Sequence, residues 1–154
     1  MADNISESNR RQIAEALTEY LADVTIVYYK THGFHWNIEG PNFYSLHIML
    51  EKFYEEIWES MDEVAERIRA LGEKVPPGLS DLLKIASIKE AETAPKGLLM
   101  MQVLRGDYLA LAKKSHDVGV IATSFGDTIT TDMMTEKATF LEKAAWMLQS
   151  TIND

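Results

Sequence analysis

The chain has 154 residues, enough for one domain with a core of its own, and its lack of cysteine excludes disulfides, thiolate nucleophiles and cysteine-based metal sites. Fifteen Lys and Arg against 24 Asp and Glu give a formal charge of −9, which opposes the long-range attraction behind non-specific nucleic-acid binding. The opening MADNISESNRR is polar and no run of about 18 apolar residues occurs, so the sequence reads as a cytoplasmic protein without signal peptide or membrane span.

From about residue 8 to 34, Ile13, Leu17, Leu21, Val24 and Tyr28 recur at steps of three and four, the pattern of an amphipathic helix that Ser6 or Ser8 would cap. GFHWNIEGPN follows, with a turn expected at Gly40 and Pro41; the pattern leaves open whether His35 is still helical. A second helix, about 43–71, carries Leu46, Leu50, Phe53, Ile57, Met61, Val64, Ile68 and Leu71 in strict register, with Gly72 as its C-terminal cap. SDLLKIAS, about 80–87, reads as a short serine-capped helix inside a long connection. A third long helix is expected over about 95–124, with Pro95 in its first turn and Gly126 ending it, and a last one over about 128–151. Residues 1–154 thus form a single all-α domain: a four-helix bundle with a short extra helix in the crossover between helices 2 and 3, the ferritin-like arrangement.

Two pairs on the second helix carry chemistry. His47 and Glu51 stand four residues apart, as do Asp62 and Glu66, so each pair presents two metal-ligand side chains on one helix face. An isolated pair of this kind is ordinarily a solvated surface pair worth a few tenths of a kcal/mol. Two in phase, preceded by His35 and Trp36 at a turn, form the pattern of a metal site. Glu51 and Asp62 nevertheless lie roughly 16 Å apart along the helix axis, too far to share an ion within one chain. A two-fold partner laid antiparallel on this face would bring residues 47 and 51 of one copy opposite 66 and 62 of the other, with two sites per dimer. Two imidazoles and three carboxylates suit iron or manganese and are compatible with zinc.

The residues H-W-N-I-x-G-x-N-F-x-x-L-H-x-x-x-E, His35 to Glu51, and M-D-x-V-A-E-R-I-x-x-L-G, Met61 to Gly72, resemble the paired signature of the Dps family of ferritin-like mini-ferritins. The resemblance extends over nearly the whole chain, including G-D-x-x-T-x-D at Gly126 to Asp132 and the aromatic Trp146. It implies a homo-oligomeric, dodecameric shell whose ferroxidase centres lie at two-fold interfaces, with His35, His47 and Glu51 from one subunit and Asp62 and Glu66 from its neighbour. Glu51 departs from the pattern, since many members have Asp there. The implied reaction is oxidation of Fe(II), with hydrogen peroxide or oxygen, followed by storage of ferric mineral that protects the cell from oxidative damage; zinc or manganese would substitute for iron at the ligands.

The resemblance also implies that Asp127, Asp132 and Glu136 line three-fold pores for Fe(II), although carboxylates at a helix N-terminus are favoured by the helix dipole alone. His32 reads as a hydrogen-bonded, partly buried histidine or a contact around the metal ligands. Trp36, in the same surroundings, and Trp58 serve interface packing or intercept stray oxidising equivalents. His116 is assigned a structural role. The rival function is a nucleoid-associated, DNA-protecting protein with little ferroxidase activity, and a metal-free scaffold is a third. Relatives that bind DNA generally use a Lys-rich tail; here the first nine residues contain Asp3 and Glu7 but no lysine and the chain ends in Asn153 and Asp154, so DNA binding is expected to be weak or absent.

Overall fold

A computed structural model describes Ala2 and residues 4–152; Asp3, Asn153 and Asp154, named above for their bearing on DNA binding, lie outside the described residues. Five helices follow one another: α1 (Glu7–Asn37), α2 (Phe43–Ala70), α3 (Leu79–Ile85), α4 (Leu99–Ser124) and α5 (Thr128–Ile152). The long helices pack as two hairpins, α1 on α2 and α4 on α5, joined by the connection that carries α3. Their facing stripes bury Leu17, Leu50, Ile57, Ile68, Leu104 and Leu111 completely or nearly so, and among the described residues there is no strand. No helix is long and apolar enough to cross a membrane.

Helix ends are set by local chemistry. Ser6 caps α1, its Oγ accepting from the Asn9 N–H at 3.3 Å. The helix passes through Gly33 and ends at Asn37, three residues beyond the boundary expected from sequence, so His35 lies in its last turn. The reversal falls at Gly40, where the turn was expected, and its φ of 113° is unfavourable for a residue with a Cβ. α2 and α4 close alike. The N–H of Glu73 reaches Ile68 O and that of Gly72 reaches Arg69 O, while Asp127 and Gly126 repeat the two bonds to Ala122 O and Thr123 O. These are Schellman closures, with glycine at the left-handed position.

The short helix and the third long helix also differ from the sequence reading. Residue 80 does not cap α3; Gly78 precedes the helix, and Ser80 lies inside it. Its end is fixed from outside, since the N–H groups of Ser87 and Ile88 donate to the Asp23 carboxylate at 2.6 and 2.8 Å rather than to helix carbonyls. α4 begins at Leu99, not at 95, because Gly97 has φ 54° and cannot continue a right-handed helix from Pro95.

Three charged groups tie the bundle together. Asp23, 1% exposed, also accepts from Ser87 Oγ and from Lys114 Nζ, joining α1, the connection and α4. Burial alone would raise its pKa, but the hydrogen bonds from Ile88, Lys114 and Ser87 outweigh that and hold it below the ordinary carboxylate value. Lys30 on α1 pairs with Asp107 on α4 at 2.7 Å, where burial dominates and the carboxyl pKa is raised. Lys137 on α5 pairs with Glu63 on α2.

Candidate metal centre

The α1–α2 hairpin brings the two histidines face to face. His35, in the last turn of α1, and His47, in the second turn of α2, stack with ring centroids 3.7 Å apart and planes 18° from parallel. Each binds the other's backbone: His35 Nδ1 lies 2.9 Å from His47 O, and His47 Nδ1 lies 3.0 Å from His35 O. A carbonyl oxygen can only accept, so each Nδ1 is the protonated, donating nitrogen, and Nε2 is the nitrogen left to carry the lone pair of a neutral ring. This reciprocal bonding orients both rings and sets both tautomers as metal ligands require. It also gives His35 O, one of the last-turn carbonyls that α1 leaves without a helical partner, a donor.

His35 is buried and His47 half-buried, with Phe43 stacked on the outer face of the His47 ring at 5.0 Å. Glu51, half-buried, follows His47 by one turn of α2. Asp62 and Glu66 are exposed farther along α2, and among the described residues no three His, Asp or Glu side chains gather closely enough to hold a metal ion. The chain therefore joins His35 to His47 but leaves Asp62 and Glu66 apart from them. Asp62 instead borders a groove of about 640 Å³ lined by Trp58, Met61, Ala65, Leu79 and Leu82. Trp58 is 57% exposed and Leu79 67%, an apolar surface beside a ligand-type carboxylate.

His32 belongs to an aromatic cluster behind the histidine pair. Its Nδ1 lies 3.1 Å from the Tyr28 hydroxyl, and its ring stacks on Tyr54 at 3.9 Å and leans on Trp36 at 4.2 Å. Burial, followed by the charge of neighbouring His35, holds its pKa below the ordinary imidazole value. Sequence reading named His32, Trp36 and Trp58, placed Tyr28 only in the apolar stripe of the first helix, and missed Tyr54. The signal was present: Tyr28 precedes His32 by one turn, and Tyr54 follows His47 by two on the same helix.

Asp127 is held within its own chain. It is 2% exposed, its Oδ1 accepts from Arg67 at 2.7 Å, and it caps α5 by accepting from the Thr130 N–H at 3.0 Å and the Thr130 hydroxyl at 2.5 Å. Burial would raise its pKa, but Arg67 and Thr130 prevail and hold it low. Such a carboxylate is engaged within the chain, in keeping with the helix-terminus reading; Asp132 and Glu136, one turn apart on α5, are exposed. His116 joins α4 to α5 at the surface, its Nε2 meeting Glu142 at 2.9 Å. Arg10 and Arg11 are both engaged. Arg10 donates to Ile5 O at 2.6 Å and to Ala2 O, while Arg11 pairs with Glu7 and Glu73.

The ferritin-like domain model matches residues 14–154. Among curated proteins, DNA protection during starvation protein 2 of Bacillus anthracis is 35% identical over 143 residues, covering 93% of this chain and 98% of that one. Among solved structures, the Dps protein of Vibrio cholerae O1, itself described as a member of a broad superfamily of ferritin-like diiron-carboxylate proteins, superposes with a TM-score of 0.92 at 32% identity, covering 97% of this chain and 94% of that one. Dps from Staphylococcus aureus gives a TM-score of 0.89 at 33% identity, with 94% and 97% covered. With this fold, this histidine pair and matches along nearly its full length, the chain belongs to the Dps family of ferritin-like proteins.

Proposed function

We propose that this protein stores and detoxifies iron as a ferroxidase, oxidising Fe(II) at sites shared between two subunits of a dodecameric shell and depositing the ferric product inside. The observation that carries the reading is the reciprocal bonding of His35 and His47, which engages the Nδ1 of each ring and leaves Nε2 as the nitrogen through which each would bind a metal. Packing alone requires neither ring to spend its Nδ1 hydrogen on the other's backbone.

Each chain supplies half of the ligands twice over: His35, His47 and Glu51 at one end of the face, Asp62 and Glu66 about three turns away. An isologous antiparallel partner completes both halves, placing the partner subunit's Asp62 and Glu66 opposite the histidines. The exposed aromatic and aliphatic groups along this face, Trp36, Tyr44, Trp58 and Leu79 among them, supply the apolar area for such an interface. The Asp62 groove is then the seat of the neighbour's histidine end.

Iron is the substrate. The imidazoles bind Fe(II) through nitrogen, and the three carboxylates lower the net charge of the site and favour Fe(III) over Fe(II). With two Fe(II) in place, peroxide takes one electron from each, the O–O bond breaks, and two hydroxide equivalents form without hydroxyl radical. A site able to hold only one iron loses that protection. The longer Glu51, where many relatives have Asp, keeps the carboxylate and alters its reach by one methylene.

The DNA-coating reading is disfavoured by the net charge of −9 and by the intramolecular bonds that occupy Arg10 and Arg11. Anaerobic loading with Fe(II) followed by peroxide, on wild type and His47→Ala with particle mass recorded, tests the proposal. Rapid oxidation that disappears in an intact variant shell is expected. Equal rates in both would refute it.

A further inference from the structure

The middle of the bundle holds polar groups that neither the metal centre nor the helix ends employ. Tyr20 of α1, Ser60 of α2 and Lys137 of α5, exposed by only 1%, 6% and 6%, line a cavity of about 10 Å³ together with the apolar Val24, Ile57 and Phe140. Ser115 of α4 stands beside the Tyr20 phenol, so each of the long helices brings a polar group to this point.

Ser60 is an exception among the helix hydroxyls. Thr18, Thr25, Thr31, Ser115 and Thr123 each donate to the carbonyl one turn back, at distances of 2.7 to 3.1 Å. Ser60 leaves that outlet unused, and among the described residues its Oγ is the one buried side-chain oxygen or nitrogen without a hydrogen-bond partner. Its neighbours in the cavity have capacity to spare. Burial pushes the Tyr20 pKa up to about 12, against the milder opposing effect of the Ser115 and Ser60 hydroxyls, so the phenol keeps its proton. The Lys137 ammonium has further N–H donors beyond the one that meets Glu63.

A water molecule needs roughly 10–15 Å³ of such space and about two to four polar partners, whereas cavities that stay dry are lined by apolar groups. We infer that this cavity is a binding site for one water molecule, held by Ser60, Tyr20 and Lys137 and joining α1 and α2 to α5. An ammonium can only donate, so the water accepts from Nζ, and its hydrogens serve the oxygens of Ser60 and Tyr20. Tyr20 and Ser60 belong to the α1–α2 hairpin and Lys137 to the α4–α5 hairpin. The water is thus a joint between the two halves of the bundle, beside the direct Lys137–Glu63 pair. It gives Ser60 the partner that the chain itself does not.

The test is a crystal structure of the assembled wild-type protein at a resolution that shows ordered solvent, together with thermal unfolding of Tyr20→Phe, Ser60→Ala and the double variant. A fully occupied water within hydrogen-bond distance of Ser60 Oγ, Tyr20 Oη and Lys137 Nζ is expected. A cavity without density, a water out of reach of Ser60, or a Ser60 hydroxyl turned onto Glu56 O or directly onto Tyr20 would overturn the inference. Each single change removes one of the water's partners, so the second costs little once the first has loosened it. The double variant should therefore unfold near the midpoint of the less stable single variant. Additive changes would show that Ser60 and Tyr20 share no water, and would overturn the inference as well. The better helix propensity of Ala at residue 60 enters alike with Tyr or Phe at residue 20 and cancels. Both changes only remove atoms, and the wild-type crystal reads the water even where a variant fails to assemble.

Discussion

If each metal site takes its histidines from one subunit and its Asp–Glu pair from the neighbour, two dead variants should rescue each other. His47→Ala shells lack a nitrogen ligand at every site, and Asp62→Ala shells lack a carboxylate at every site. A two-fold pair with one chain of each kind is different: one site collects both defects, and the other collects none. Random co-assembly at equal ratio makes half of all two-fold pairs mixed, and half of the sites in those pairs are intact, so about one quarter of wild-type oxidation should return. Asp62 is exposed and His47 half-buried, neither belongs to the apolar core, and shell mass should be retained in both variants. The assay is initial peroxide-driven Fe(II) oxidation by co-expressed chains, one bearing an affinity tag, with native mass spectra confirming mixed shells. Sites built within single chains would give no recovery, because every chain carries a defect. Mixed shells that stay inactive would therefore refute the shared-site argument.

Replacing Asp127 with Asn leaves Arg67 facing a neutral group at a nearly closed site, and the midpoint of thermal unfolding should fall by an amount corresponding to about 3 kcal/mol; an unchanged midpoint would return Asp127 to the surface. The folded pKa values of Asp23 and Asp127 are depressed, so the stability they contribute is present above the unfolded carboxylate pKa and is lost as pH falls through the folded values. Thermal midpoints should accordingly decline below about pH 4, and less steeply in Asp23→Asn, which no longer has that carboxylate to protonate. Asp107 works in the opposite sense, its raised pKa removing stability as pH rises above the ordinary carboxylate value, so it does not account for acid loosening. With Asp127 committed to the fold, Asp132→Asn combined with Glu136→Gln should slow Fe(II) uptake while particle mass is retained; a wild-type rate would remove the pore assignment.

The helices were legible because apolar residues three and four apart encode a face directly, and the buried stripe of α2 follows the sequence pattern with Met61 as its half-covered member. Boundaries depending on distant partners were not. Nothing near Ser87 announces that Asp23, 64 residues earlier, takes its N–H and ends α3. Pro95 suits a helix start by residue type, but the left-handed Gly97 two residues later decides against it. At the proposed metal centre, spacing along α2 places His47, Glu51, Asp62 and Glu66 on one face, whereas the bonding of His35 to His47 depends on the angle at which two helices meet. Asp127 carried two readings for a related reason: a helix cap and a pore carboxylate have the same sequence, and the approach of Arg67 from α2 favours the cap.

Folding alone therefore accomplishes a definite part of the chemistry on the proposed reading. The hairpin orients two imidazoles before any iron arrives, at a cost met by hydrogen bonds and ring stacking within the chain. What it withholds is the Asp–Glu pair, held about 16 Å away along the rigid rod of α2. A free subunit offers Fe(II) two nitrogens and one carboxylate, a set that binds weakly and does little to favour Fe(III). Oxidation is then confined to the assembled particle, where the product has a cavity to enter. The separation of ligands along α2 thus acts as a control: a helix too stiff to bend its own carboxylates back onto its own histidine makes shell formation a condition of activity.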